Sequence, residues 1–290
     1  MDPRLTGTGI WSSALRYGDP AAARDAAAEL EQVGYSALWV PDIGGDLFAA
    51  VENLLAATTS ITVATGILNL WMHDADDVAQ WYQDSVGRHG RRLLVGIGVS
   101  HAPLVNSLEA DQYRRPLART AEYLDGLDAA PQPLPVGDRV LAALGPKMLD
   151  LARTRAAGSH PYLVTPQHTE TVRAALGADG LVAPEQAVVL ETDPGRAREL
   201  AREHLAMYLG LPNYSNNWKR VGFTDDDLAD GGSDRLVDAL VVWGDEATIA
   251  ARVQEHRDAG ADHVCVQVLT GDLATPCRDQ WRRLAPALLG

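Results

Sequence analysis

The chain has 290 residues, of which 46% are hydrophobic and 22% are charged, and its formal net charge is -14. This composition is typical of a soluble globular protein with a sizeable core, and the acidity argues against nucleic acid or an anionic membrane surface as a partner. No uncharged apolar run is long enough to span a membrane, and the first residues lack the features of a signal peptide, so we expect a cytoplasmic protein.

The first half of the chain alternates short apolar strands with capped helices. Asp19 and Pro20 begin a helix as N-cap and first helical residue, and Gly34 ends it. The same patterns predict strands over 9–13, 37–40, 61–64 and 93–98, and helices over 20–33, 46–58, 76–89 and from 116 onwards. Residues 99–115 are predicted as a long loop.

The second half repeats this alternation. Strands are predicted over 139–144, 159–162, 185–191 and 263–269, and helices over 147–157, 166–176, 194–209, 245–259 and after Pro276. Residues 211–233 carry Tyr214, Trp218 and Phe223 among acidic residues and glycines. This stretch indicates an insertion whose aromatic side chains pack it down.

Eight strands that alternate with helices imply a parallel sheet, and eight such units close into a (β/α)8 TIM barrel. The predicted fold is therefore one α/β domain over residues 1–290, with a helical insertion at about 192–244 after the seventh strand. An open doubly wound sheet is the alternative. A dinucleotide-binding version is disfavoured because no Gly-x-Gly-x-x-Gly turn follows the first strand.

In such a barrel the active site lies at the carboxyl ends of the strands. The end of the third predicted strand is the most informative, because its apolar run is interrupted at Thr65 and Gly66 and then followed by polar and aromatic residues. An isolated glycine at a strand end suggests a bulge or a close approach of the backbone to a ligand. A buried strand followed by a polar loop and a helix cap would have the same composition.

Residues Thr65 to Asn69 resemble the corresponding strand of the bacterial luciferase-like superfamily, and the resemblance extends to Gly96–His101 and Gly260–Val264. It is strongest for the deazaflavin-dependent branch, which includes methylenetetrahydromethanopterin reductase, and for actinobacterial members of that branch. The resemblance implies that a non-prolyl cis peptide between Gly66 and Ile67, next to Thr65, forms a bulge that supports the ring system of the cofactor.

The resemblance also implies roles for the neighbouring strand ends. Asp42 is expected to contact the cofactor head group and to take part in catalysis, although a cap or turn role is equally compatible with the sequence. Gly98, Val99 and Ser100 are expected to let the ring lie against the backbone. Because Val99 stands where some relatives carry a catalytic Glu, His101 is the candidate proton donor, with a surface histidine as the alternative.

The fifth predicted strand ends in a turn that combines a flexible backbone with a helix N-terminus. Gly145, Pro146 and Lys147 form this turn, which suits a bound phosphate and is also compatible with an ordinary strand-to-helix connection. The resemblance implies that the turn binds the phosphate and diester region of the cofactor, and that Tyr162 and Thr165 close the same pocket.

Further side chains near the strand ends are candidates to line a substrate: Trp11, Asn69, Trp71 and His73. An aromatic residue at position 71 could equally pack beneath the loop. No role is assigned to the histidines on predicted helix surfaces, which are His89, His168, His204 and His256. No metal site is expected, because Cys265, Cys277 and the run Asp225–Asp227 lack the spacing of metal ligands.

The resemblance implies an oxidoreductase that transfers a hydride between the deazaflavin coenzyme F420 and a small organic substrate, and it implies a homodimer. An FMN-dependent luciferase-like monooxygenase is the first alternative, which oxygen consumption with reduced FMN would distinguish. A non-catalytic cofactor-binding protein is the second alternative, because Ile43 and Val99 replace catalytic residues of some relatives. Ile43 also argues against a sugar phosphate as the substrate.

Overall fold

The computed structural model of the protein describes residues 5–108 and 110–290. The strands in this part of the chain are β1 (Gly7–Trp11), β2 (Ala37–Val40), β3 (Thr62–Thr65), β4 (Leu68–Asn69), β5 (Leu93–Gly98), β6 (Arg139–Leu141), β7 (Gly158–Ser159), β8 (Leu181–Val182), β9 (Glu185–Val189), β10 (Val241–Trp243) and β11 (His263–Val268).

Helices connect these strands. They are α1 (Ala14–Tyr17), α2 (Pro20–Val33), α3 (Leu47–Ala57), α4 (Ala75–His89), α5 (Ala102–Leu108), α6 (Pro116–Ala129), α7 (Pro146–Arg155), α8 (Pro166–Leu176), α9 (Pro194–Leu209), α10 (Pro212–Arg220), α11 (Asp225–Leu228), α12 (Asp234–Leu240), α13 (Glu246–Asp258) and α14 (Arg278–Leu289). A 3-10 turn over Val136–Asp138 precedes β6.

The described strands pair in parallel in the order β10-β9-β11-β1-β2-β3-β5-β6-β7-β8, and β4 pairs with β5. The sheet closes on itself because β8, the last strand of this order, and β9, which pairs with β11, belong to one stretch of chain. The N–H of Ala183 donates to Ser159 O at 3.0 Å on one side of this stretch, and the N–H of Cys265 donates to Pro184 O at 3.0 Å on the other. The sheet therefore closes into a barrel, which confirms the predicted TIM-barrel fold.

The barrel has eight positions although more strands are assigned. β3 and β4 form one position that is interrupted at Gly66 and Ile67, and β8 and β9 form another. β10 is an additional strand that pairs with β9, and the helices α9 to α12 lie between these two strands in the chain. The helical insertion after the seventh barrel strand is thus present, and it ends in a strand.

Apolar side chains fill both faces of the barrel wall, as expected for strands covered on both sides. Ile10, Leu38 and Val266 belong to the large cluster between the strands and the helices, whereas Trp39 and Ala64 belong to a cluster inside the barrel. All of these side chains are fully buried. Each buried large apolar side chain stabilises the fold by roughly 1.5–3 kcal/mol.

Side-chain caps determine where several helices begin. Asp19, Thr165 and Asp193 accept hydrogen bonds from the backbone N–H three residues later, at 2.8, 3.3 and 2.9 Å, and a proline follows each of them. Such a cap is worth about 1 kcal/mol because it pairs an N–H that the helix itself leaves free. The starts of these three helices were predicted from the sequence and are confirmed.

Some parts of the chain differ from the prediction. Residues 99–115 were predicted as a long loop but contain α5, whose Pro103 is compatible with the first turn of a helix. Residues 211–233 lie within the predicted helical insertion and contain α10 and α11. The final helix begins at Arg278 rather than directly after Pro276. In the described residues, no helix combines the length and the apolarity needed to cross a membrane.

Candidate active site

Asp42 lies at the end of β2 with its side chain fully buried. Its Oδ2 accepts a hydrogen bond from the N–H of Asn69 at 3.0 Å and lies 2.8 Å from Nε2 of His73. An ionised carboxylate only accepts hydrogen bonds, so Nε2 of His73 donates and Nδ1 remains as the basic nitrogen. Asp42 therefore orients His73 and does not cap α3, which Asp46 does.

The peptide bond between Gly66 and Ile67 is cis, as the resemblance implies. Nε1 of Trp11 donates to Gly66 O at 2.9 Å, and the hydroxyl of Thr65 donates to Gly96 O at 2.7 Å. A Cβ at position 66 would lie 2.6 Å from Nε1 of Trp11. The interruption of the third barrel strand is therefore packed tightly against Trp11 of β1 and hydrogen-bonded to its neighbour β5.

The end of β5 is equally close-packed. A Cβ at position 98 would lie 2.1 Å from Cδ1 of Ile67 and 3.0 Å from Cβ of Ala142. Beyond Gly98, the carbonyl of Val99 accepts a hydrogen bond from Nε1 of Trp71 at 2.9 Å. Trp71 is therefore held against the β5 loop, as the packing alternative for this residue predicted.

His101 follows Ser100, whose φ of 54° turns the chain towards α5. The ring of His101 lies 5.4 Å from the ring of Tyr214 and 6.4 Å from that of Tyr208, both on insertion helices. Burial lowers the pKa of His101, and the side chain of Asn213 partly opposes this effect. His101 is thus a half-buried imidazole in an aromatic surrounding, and its lowered pKa favours the neutral form.

Tyr162 is the centre of a polar cluster at the end of the sixth barrel strand. Its hydroxyl donates to Oε1 of Gln267 at 2.8 Å, lies 3.2 Å from Nε2 of His204, and accepts from the hydroxyl of Tyr208 at 3.4 Å. Burial raises the pKa of Tyr162 well above its usual value, so the hydroxyl keeps its proton. The cluster ties α9 to the ends of two barrel strands.

The predicted phosphate turn forms the N-terminus of α7. Gly145 is the N-cap and has no side chain to cap the helix, Pro146 is the first helical residue, and Lys147 is exposed. The guanidinium of Arg220 lies 3.8 Å from the position that a Cβ of residue 145 would take. Thr165, in contrast, uses its hydroxyl to cap α8, which packs beside α7.

Two titratable groups lie below the strand ends, inside the barrel. Nδ1 of His160 lies 2.7 Å from Ala183 O, and its ring stacks on Trp39 at 4.1 Å. Burial lowers the pKa of His160 to about 4. Oε2 of Glu185 accepts from the N–H of Leu163 at 3.1 Å, and burial raises the pKa of Glu185 to about 8. Both groups are therefore mostly uncharged at neutral pH.

Several buried polar atoms at this end of the barrel have no hydrogen-bond partner among the residues that the structure describes. They are Asp42 Oδ1, Asn69 Nδ2, His101 Nδ1, His160 Nε2, Glu185 Oε1 and both amide atoms of Asn217. An unpaired buried polar group costs about 1–3 kcal/mol, and folded proteins contain few of them. Their concentration here indicates a site that a polar ligand or ordered water completes.

The structure thus brings the predicted residues on β1 to β5 together and places the Gly145 turn after β6, the neighbour of β5. Sequence reasoning missed His160, Glu185, Asn217 and Arg220. His160 and Glu185 could have been found, because each is a titratable side chain within a predicted strand. No local pattern marks Asn217 and Arg220 on α10. The prediction that His168 and His256 lie on helix surfaces is wrong, because both are buried.

Comparison with known proteins adds family-level information. The profile of the luciferase-like monooxygenase family matches residues 5–263 of this chain. Among curated proteins, no match was found.

Solved structures share the fold at low sequence identity. An F420-dependent secondary alcohol dehydrogenase in complex with an F420-acetone adduct has 16% identity and a TM-score of 0.76, covering 98% of this chain and 99% of that chain. The coenzyme F420 dependent tetrahydromethanopterin reductase from Methanopyrus kandleri has 17% identity and a TM-score of 0.73, covering 96% of both chains. The oxygenating constituent of 3,6-diketocamphane monooxygenase from Pseudomonas putida, in complex with FMN, has 15% identity and a TM-score of 0.65, covering 98% and 99%.

Proposed function

Because the chain belongs to the luciferase-like monooxygenase family, we propose that it is an oxidoreductase that exchanges a hydride between the deazaflavin coenzyme F420 and a small organic substrate. The observation that carries this proposal is the imidazole of His73, held by the buried carboxylate of Asp42 at 2.8 Å beside the close-packed end of the third barrel strand. Hydride exchange at an alcohol or carbonyl carbon also moves a proton, and an oriented imidazole is suited to that step.

The residues around the strand ends fit a planar heterocycle. Neither Gly66 nor Gly98 has space for a Cβ, because Nε1 of Trp11 lies 2.6 Å from the first position and Cδ1 of Ile67 lies 2.1 Å from the second. The strand ends are therefore closely packed and fixed in position. In the described part of the chain, Asp42 Oδ1 is an acceptor and Asn69 Nδ2 a donor without a partner, and together they match the alternating carbonyl and N–H groups at the edge of a flavin-like ring. When bound, the deazaflavin would supply the carbon that carries the hydride.

The roles of the side chains follow from their surroundings. Nδ1 of His73 would take the proton from an alcohol or give it to a carbonyl oxygen, while Asp42 stabilises the resulting imidazolium. His101, the proton donor expected from the sequence, has no carboxylate partner among residues 5–108 and 110–290, and burial lowers its pKa. His73 is therefore the better candidate for this step, and Trp11 and Trp71 would help to exclude water.

The choice of F420 over FMN is supported by the higher structural similarity of the F420-dependent enzymes. The two F420-dependent enzymes superpose with TM-scores of 0.76 and 0.73, compared with 0.65 for the FMN-containing monooxygenase. The family description and the FMN complex support a flavin-dependent monooxygenase as the alternative.

Separate titrations with F420 and FMN, followed by fluorescence, test the proposal. We expect tighter binding of F420, and then hydride exchange with at least one member of a panel of alcohols and carbonyl compounds at a rate that oxygen does not change. Tighter binding of FMN with oxygen consumption would replace the proposal by the monooxygenase. Tight cofactor binding without turnover across the panel would indicate a binding protein. Light scattering on the same samples tests the proposed homodimer.

A further inference from the structure

Exposed apolar side chains gather at one side of the barrel mouth. In the described part of the chain, the large apolar residues with exposed side chains are Tyr17, Val33, Ile43, Val136, Met207 and Leu273. Three of them, Tyr17, Ile43 and Leu273, follow β1, β2 and β11, which are neighbours in the sheet. A single exposed apolar side chain is ordinary, whereas several together on one surface mark a binding site. Together these three residues are the α1 patch.

Helix α1 holds the loops of the α1 patch together. The hydroxyl of Tyr17 accepts a hydrogen bond from the N–H of Ile43 at 2.7 Å. The hydroxyl of Ser13, the N-cap of α1, donates to Leu273 O at 3.0 Å. The loops after β2 and β11 are thus bonded to the same short helix, and the exposed side chains of Ile43 and Leu273 flank it.

The backbone next to Ile43 is also fixed. A guanidinium nitrogen of Arg16 donates to Gly44 O at 2.8 Å, and the same guanidinium lies over the ring of Tyr17 at 4.8 Å. Gly44 has a φ of 131°, a conformation that favours glycine, so the chain turns directly after Ile43. The side chain of Ile43 is consequently held outward, where it is 64% exposed.

The α1 patch adjoins the candidate catalytic pair. Ile43 directly follows Asp42, whose buried carboxylate lies 2.8 Å from Nε2 of His73. Because consecutive Cα atoms are about 3.8 Å apart, the apolar side chain begins one residue away from the carboxylate that orients the imidazole. A substrate whose reacting oxygen lies at His73 can thus extend over Ile43.

The surface of the α1 patch suits a hydrocarbon better than a polar group. Three of the backbone polar groups around it are already paired with side chains of α1 or its N-cap: Ile43 N–H, Gly44 O and Leu273 O. The side chains of Ile43 and Leu273 themselves present only carbon. A sugar or a charged group placed against them would lose its hydration without new hydrogen bonds, whereas a hydrocarbon group would be removed from water. The patch therefore favours an apolar ligand.

We propose that the α1 patch binds the hydrocarbon part of the substrate, so that the substrate is an alcohol or carbonyl compound with an apolar chain or ring of several carbon atoms. The inference rests on the proposed function and names the substrate class of the same site. Ile43 and Leu273 are then specificity-determining residues, and Arg16 and Tyr17 are positioning residues that keep Ile43 exposed. The oxygen of the substrate lies at His73 while its hydrocarbon part covers the patch.

A homologous series of secondary alcohols with three to eight carbon atoms tests the proposal. In wild type, kcat/KM for hydride exchange with F420 should rise by about threefold per added methylene until the patch is covered, because each buried methylene strengthens binding by roughly this factor. Ile43→Ser should lower kcat/KM by about twofold for the shortest alcohol and by about 10-fold for the longest, and Leu273→Ser should show the same dependence on length. These losses should appear in KM and not in kcat, since the contacts are the same in the ground state and the transition state.

Val136→Ser is the matched control, because Val136 is also exposed but lies in the turn before β6, at the amino ends of the strands. It should change kcat/KM for no alcohol by more than about twofold. Tyr17→Phe keeps the apolar ring but removes the acceptor for the N–H of Ile43. It should lower kcat/KM for the longest alcohol by about threefold, again through KM.

Ligand-observed NMR of the same alcohols measures their dissociation constants without turnover, so it remains informative if no hydride exchange with F420 is found. An affinity that rises with chain length in wild type and Val136→Ser but not in Ile43→Ser would support the patch even if the proposed reaction fails. An equal dependence on length in wild type and Ile43→Ser, or none in wild type, would overturn the proposal. So would a wild-type dimer that Ile43→Ser dissociates in light scattering, because a second copy of the chain would then cover the patch.

Discussion

Two histidines of this protein have nearly the same local geometry but different positions in the fold. His73 lies 2.8 Å from a carboxylate oxygen of Asp42, and His89 lies 2.9 Å from one of Glu52. The first pair sits at the carboxyl end of the barrel strands, next to Asn69, whereas the second links α4 to α3 on the outside of the barrel. Position rather than pairing therefore separates a candidate catalytic group from a structural one.

This contrast leads to a direct prediction. His73→Gln should lower the rate of hydride exchange by about 10²-fold to 10⁴-fold, because the group that moves the proton is lost while the cofactor contacts remain. His89→Gln should leave the rate within about twofold. Stopped-flow measurement of cofactor oxidation, together with the cofactor dissociation constant, checks both variants. An unchanged rate in His73→Gln would remove His73 from the proposed mechanism.

The tight packing around Gly66 leads to a prediction about stability. In Gly66→Ala the new Cβ would lie 2.6 Å from Nε1 of Trp11, so the hydrogen bond from Trp11 to Gly66 O must break or shift. We expect the free energy of unfolding to fall by about 1–3 kcal/mol.

Gly87 on α4 is the control for this substitution, because a Cβ there meets nothing within 4 Å. Gly87→Ala should stabilise the protein by up to about 1 kcal/mol through helix propensity. Urea unfolding followed by circular dichroism measures both variants, and equal effects of the two would show that the packing around Trp11 is unimportant.

At the scale of elements, α10 depends on one tryptophan. Trp218 is fully buried, and its Nε1 donates to Leu163 O at 3.0 Å, which fixes the helix to the turn after β7. Trp218→Phe should cost about 1–3 kcal/mol, because the buried carbonyl loses its donor. Trp243→Phe should cost less than about 1 kcal/mol, since Nε1 of Trp243 donates to the half-exposed Asp238. Urea unfolding of both variants tests this difference, which would vanish if α10 were held by packing alone.

Helix α10 also differs from other helices in how well its start could be predicted from the sequence. Helices with a capping side chain and a following proline, such as α2 and α8, were predicted with their observed bounds, because these signals are local. Helix α10 begins after Leu211, which provides no side-chain cap, so its start was not recognised. Asn217 and Arg220 gain their surroundings only when α10 crosses the barrel mouth, and no spacing within the sequence encodes that contact.

In the candidate active site, too, features with a local sequence signal were predicted and features that depend on tertiary contacts were not. The ends of β2, β3 and β5 were predicted as site regions because the barrel rule converts strand ends into a location. The pairing of Asp42 with His73 was not predicted, since it joins loops 31 residues apart. His160 and Glu185 were missed because the strand pattern was used to count barrel units and not to look for titratable side chains inside them.

At the scale of the whole molecule, buried histidines determine how stability responds to acid. Burial lowers the pKa of His160 and His168 to about 4, and that of His256 and His263 to about 3. The unfolded chain binds these protons near pH 6.5, whereas the folded protein does so only at much lower pH. Between these values the unfolded state holds more protons, so stability falls as the pH decreases below 6.5.

We therefore expect the free energy of unfolding to decrease from pH 6.5 to pH 5, with each histidine contributing at most about 1.4 kcal/mol per pH unit. His256→Gln should reduce this slope by the contribution of one proton. Urea unfolding at half-unit pH intervals measures the slope. A slope that is unchanged in the variant would show that His256 is protonated in the folded protein.

Glu185 acts in the opposite direction on the alkaline side. Burial raises its pKa to about 8, so between about pH 4.5 and pH 8 the folded protein holds a proton that the unfolded chain has released. Stability should therefore decrease from pH 6.5 to pH 8, where the histidines no longer contribute. Glu185→Gln should abolish this decrease, because the amide stays neutral at every pH, whereas the exposed control Glu203→Gln on α9 should retain it. Urea unfolding between pH 6.5 and pH 8 compares the three proteins, and a decrease that persists in Glu185→Gln would mean that Glu185 is ionised inside the barrel.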